Sequence, residues 1–128
     1  MGDFSVLTYR IVEMGFENAD LSMLPPDKKK DILTDVAVLL RKKNETGNAV
    51  KALAMSGNVP MLREWEMEFL TLKDSKHAAV CAIASNDMAN MERVGMMCVA
   101  DGHYELAIDV FRSACRPELV NFVKANYI

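Results

Sequence analysis

The feature that most constrains this chain is a helix-breaking turn that recurs together with the apolar stripes on either side of it. Ser56-Gly57-Asn58 reappears as Ser85-Asn86-Asp87, an offset of 29 residues, and self-similarity at a fixed period in a helix-rich chain is the signature of stacked helical units. The offset propagates into the flanking segments. In the first helix of each copy, Ala49, Ala78 and Ala107 share a column, followed by Val50, Ala79 and Ile108, by Ala52, Cys81 and Val110, and by Leu53, Ala82 and Phe111. In the second helix the columns are Leu33, Leu62, Met91 and Val120, then Val36, Trp65, Val94 and Val123, then Leu40, Phe69, Cys98 and Tyr127. Spacings of three and four put each set on one helical stripe, which must be buried against a neighbour.

Punctuation divides the rest of the chain into helices. Phe4 to Met14 reads as a first helix, with Phe4, Leu7, Ile11 and Met14 on one stripe and Val6 and Val12 making it largely buried; Gly15 ends it. Pro25-Pro26 suits the start of a second helix running to about Lys43, because the first turn needs no donor there. Thr46, Asn58, Asp74 or Ser75, and Asp87 are candidate caps for later helices, and Pro117 opens the last. Arg63 to Phe69 alternates polar and apolar residues as a half-buried strand does, but its Glu, Met and Leu content favours helix; helix is adopted, with strand the open alternative. About eight helices result. Three copies begin near Thr46, Ser75 and Tyr104. In a fourth, Leu21 and Leu24 keep phase but Pro25-Pro26 interrupts the helix that would hold them. The expectation is an all-α single domain, 1–128, with 1–45 an N-terminal capping region and 46–128 three hairpin repeats of about 29 residues.

Gly102-His103-Tyr104-Glu105-Leu106-Ala107-Ile108, followed by Phe111 and Ala114, resembles the second helix of a tetratricopeptide repeat. The preceding helix keeps Gly95 at the small position but has Met91 and Cys98 where that family carries aromatics. The shorter period is similar to that of clathrin- and coatomer-type hairpins, and Ala52-Leu53-Ala54-Met55-Ser56-Gly57-Asn58 resembles a degenerate ankyrin helix pair without its Thr-Pro-Leu-His start. These resemblances, covering about the last eighty residues, imply a right-handed stack of antiparallel helical hairpins, a short α-solenoid with an N-terminal capping helix. They imply protein binding rather than an activity.

Composition narrows the function classes. A 128-residue chain with 51% hydrophobic and 26% charged residues can bury one ordinary core. A net charge of -3 offers no field for phosphate backbones or acidic membranes, so no nucleic acid and no membrane partner is expected. Met1-Gly2-Asp3 lacks a signal peptide's basic start and apolar run, and the chain is read as cytoplasmic. Cys81, Cys98 and Cys115 form an odd set without close pairs and are read as core thiols; His77 and His103 have no ligands at metal spacing. Met88, Met91, Met96 and Met97 are read as core filling.

No nucleophile elbow, triad context or phosphate-binding glycine loop is present, so neither an enzyme nor a cofactor is expected. Glu64 and Glu68 share a helix face without companions and are read as solvated. What remains is the stripe of the first helices left free by the constant columns: Asn48, His77 and Leu106, then Lys51, Val80 and Asp109, then Met55, Ala84 and Ser113. Positions released from packing can vary, and these nine are the candidate partner-binding residues of a non-catalytic scaffold or adaptor that binds a protein or peptide. The alternative is a structural assembly subunit. In that reading the C-terminal helix, with Phe122, Val123, Tyr127 and Ile128, pairs with another copy or docks on a larger helical scaffold.

Overall fold

In a computed structural model the described residues, 5–128, form eight α-helices and one 3-10 turn, with no strand among them. The helices are α1 (Val6–Met14), α2 (Pro26–Lys42), α3 (Thr46–Ser56), α4 (Val59–Thr71), α5 (Ser75–Ser85), α6 (Met88–Ala100), α7 (Tyr104–Ser113) and α8 (Pro117–Tyr127), and the 3-10 turn is Phe16–Asn18. The alternating segment around Trp65 is helical: α4 buries Leu62, Trp65, Glu66, Phe69 and Leu70, which recur at three and four rather than at two.

Helix boundaries recur at the offset seen in the sequence. α3, α5 and α7 start at residues 46, 75 and 104, and α4, α6 and α8 at 59, 88 and 117. The turns recur as well. Gly57, Asn86 and Cys115 have φ of 71°, 55° and 57°, and Asn44, Lys73 and Gly102 have 63°, 59° and 83°. A left-handed residue just past a helix end lets the next N–H reach back to an orphan carbonyl. Glu45, Asp74 and His103 do so, donating their backbone N–H groups to the carbonyls of Leu40, Phe69 and Cys98.

The chain divides into two compact units, Met1–Asn58 and Val59–Ile128. In the first, α2 packs along α3 and α1 lies against α2; Leu33, Val36, Ala37, Ala49, Ala52 and Leu53 are fully buried between them. Asn58 closes the unit by donating its side-chain amide to Thr34 Oγ1 at 3.2 Å. In the second, each helix packs on its chain neighbour and α5 also reaches α7. Its core is built on Leu62, Phe69, Met91, Val94, Val110 and Phe111. All twelve constant-column residues of α3, α5 and α7 are buried, and the larger side chains among them, Val50, Leu53, Ile108, Val110 and Phe111, each stabilise the fold by roughly 1.5–3 kcal/mol. Gly95 belongs to this packing, since a Cβ there would overlap the Phe111 ring.

Several expectations are corrected. α1 is not largely buried: Ile11 and Thr8 are, but Val6, Leu7, Tyr9 and Met14 are exposed, because a nine-residue helix lying on α2 covers only one narrow face. Phe4 lies outside the described residues. Thr46 is the first residue of α3 rather than its cap, and Asp87 occupies the α6 cap position without bonding the helix backbone. Cys81 and Cys98 are core residues, whereas Cys115 is exposed, a turn residue in the column of Gly57 and Asn86. Of the clustered methionines, Met91 is buried and Met97 half-buried, while Met88 and Met96 lie on the outward phase of α6. Tyr127 ends its otherwise buried column 44% exposed, its ring stacked on Tyr104 at 4.7 Å.

Candidate functional site

None of the nine candidate partner-binding residues is buried. Asn48, Lys51, Met55 and Asp109 are exposed, and His77, Val80, Ala84, Leu106 and Ser113 are half-buried. The phase that buries the constant columns turns these positions outward. In the first unit, Asn48, Lys51 and Met55 follow one another along α3. Asn48 donates to Glu45 Oε1 at 3.3 Å, and Lys51 lies 3.6 Å from Glu17 of the 3-10 turn. Both groups of that ion pair are well exposed, so it adds little stability.

In the second unit, α5 presents His77, Val80 and Ala84, and α7 presents Leu106, Asp109 and Ser113. His77 is held in place. Asp74 caps α5 by accepting the His77 backbone N–H at 3.2 Å, its other oxygen lies 2.6 Å from His77 Nδ1, and the imidazole rests on the Phe69 ring. Partial burial raises the Asp74 carboxyl, but the bonds from His77, with the charges of His77 and Lys76, outweigh it and leave it below its ordinary value. Leu106 and Asp109 open onto two grooves. Leu106 lines one of about 450 Å³ with Lys76, His103, Tyr104 and Ile128. Asp109 lines another of about 480 Å³ with Ile108, Arg112 and Lys124.

Glu64 and Glu68 lie on the exposed face of α4, and His77 is engaged with Asp74. Cys98 is buried, its thiol donating to the Ser75 carbonyl at 3.6 Å, and burial pushes it up to about 11, which leaves it protonated and unreactive near neutrality. Among the described residues no three of His, Cys, Asp and Glu come together as a metal site.

The sequence reading missed Glu66. It is fully buried in the second unit, and neither carboxylate oxygen receives a hydrogen bond. Burial first, then the facing Asp87 carboxylate, raise it to about 8 against a small opposing effect of Arg63. A signal was available: 29 residues either side of Glu66 stand Ala37 and Gly95, both buried. An acid in a column of small core residues cannot be solvated.

The chain matches no protein-family model, no curated protein and no solved structure. No helix among the described residues is long and apolar enough to cross a membrane.

Proposed function

We propose that this protein is a non-catalytic helical-repeat scaffold that binds a protein or peptide through the outward stripe of its first helices. The observation that carries the reading is the division of labour within α3, α5 and α7. Their twelve constant positions are all buried, while none of the nine positions between them is buried, and these differ in chemistry from copy to copy. A right-handed α-solenoid of the tetratricopeptide or clathrin type, with the first helix as cap, is the architecture this pattern favours. Within the second unit the stripe combines apolar Val80, Ala84 and Leu106 with Asp109, a mixture suited to a partner side chain that is itself amphipathic.

His77 supports the cap of α5, so the test leaves it in place. Lys51→Glu, Val80→Glu and Asp109→Lys are introduced together and circular dichroism verifies the helices. A co-purifying partner from the native host is expected to be lost or weakened at least tenfold; retention at unchanged affinity would show that the assigned face is wrong.

Assembly through the C-terminal helix is a second reading. Phe122 and Tyr127 are nearly half exposed and Ile128 is 72% exposed. Lys124 counts against simple continuation of a stack, because it stands in the column where Ala37, Glu66 and Gly95 are buried. A lysine there gives α8 the polar outer face of a terminal unit. Light scattering at high concentration separates the readings: a monomer excludes self-pairing.

A further inference from the structure

The second unit holds a carboxyl group that none of the packing accounts for. Glu66 sits midway along α4 with no exposed surface. Its two oxygens receive no N–H or O–H from any described residue. An ionised carboxylate in that position would forfeit hydration without compensation, a cost that chains avoid by keeping the proton. The group facing it is another carboxyl, Asp87, in the turn before α6. Two carboxylates cannot bond one another, but a carboxylic acid and a carboxylate can, through the acid's O–H. Asp87 is placed to be the charged member. It is only half-buried, accepts from Asn90 Nδ2 at 2.9 Å, and stands at the α6 N-terminus, where the helix dipole favours negative charge. Its side chain makes no capping bond to the α6 backbone, which leaves it free to face α4.

We propose that Glu66 and Asp87 share one proton, Glu66 donating to Asp87, and that this bond ties α4 to the start of α6 as a pH-sensitive latch. On deprotonation two negative charges face each other, and no donor compensates Glu66. The surrounding charges do not relieve the pair. Arg63, on α4 itself, is exposed and acts weakly. α5, packed along α4, carries Lys76, which is exposed, and His77, which is committed to Asp74. The latch therefore weakens as pH rises towards the value of about 8 at which Glu66 releases its proton. Loss of the bond frees the segment from Ser85 to Asn90, the turn joining α5, which bears His77, Val80 and Ala84, to α6.

The test is carbon-detected NMR of the side-chain carboxyls across pH 4 to 9.5 in the full chain. The Glu66 resonance is expected to titrate at least two units above the other glutamates, with amide shifts at Asp87 to Asn90 following the same midpoint. In Asp87→Asn, which replaces the facing charge with an amide able to donate to Glu66, the midpoint is expected to fall by at least one unit. A Glu66 midpoint in the ordinary carboxyl range, or one unmoved by Asp87→Asn, would overturn the proposal. Should that variant not fold, the wild-type titration and its echo at Asp87 to Asn90 decide alone.

Discussion

Gly95 illustrates how a single residue can be specified by its neighbour. The position is helical, where alanine is ordinarily the better residue, yet the Phe111 ring already fills the space a Cβ would take. Because Phe111 is fully buried and cannot swing outward, Gly95→Ala is expected to cost about 1–3 kcal/mol, read from the shift in urea midpoint. The same column holds Glu66. In the copy where the α4–α6 position is occupied by glutamate, the partner column carries Ala82 instead of Phe111, so volume is exchanged between the two columns. Such compensation is invisible to a reading of either column by itself.

At the level of the helix, the turns do as much as the stripes to set the pattern. Six left-handed residues close six helix ends, and only two of those residues, Gly57 and Gly102, are glycine. Cys115 adopts this conformation at an expense of about 1–2 kcal/mol that glycine would not incur. Since its side chain is exposed and free, Cys115→Gly is expected to raise stability by about 0.5–1 kcal/mol once glycine's extra chain entropy is counted. Thermal unfolding with and without the substitution checks this, and a lower midpoint would contradict it. The elements themselves were largely legible. The helix starts at Ser75 and Pro117 follow from the Asp74 cap and the proline, and Trp65 fell on a helix because helix formers outweigh a seven-residue alternation. The burial of α1 was not legible, because its composition is apolar on two faces and only packing decides which face is covered.

For the whole molecule the linked protonations set the pH at which it is most stable. Glu66 ionises in the unfolded chain near the ordinary value of 4.5 but in the fold only near about 8. Its contribution is therefore complete below pH 4.5 and is lost as pH rises through that window, at about 1.4 kcal/mol per unit. Asp74 works in the opposite sense: held below its ordinary value, it adds stability above pH 4 that disappears as its folded form takes up a proton. The unfolding midpoint is expected to peak near pH 5 and to fall towards pH 8.5. In Glu66→Gln the alkaline decline should be largely abolished. A profile that is flat from pH 5 to 8.5 in the wild-type chain would refute the assignment of Glu66 as a buried acid.

What the sequence determined by itself was the all-helical class, the period of 29 residues and the inward face of α3, α5 and α7, because local propensity, turn chemistry and amphipathic phase are all written within a few residues of where they act. It also separated the nine outward positions from the twelve inward ones, since a phase once fixed assigns both faces. Only the tertiary structure decided that Asp87 faces Glu66 rather than its own helix, that Asp74 holds His77, and that Phe111 fills the place of a Gly95 side chain. Those are relations between residues on different elements. Their energies depend on distance and burial, which periodicity along a chain does not encode.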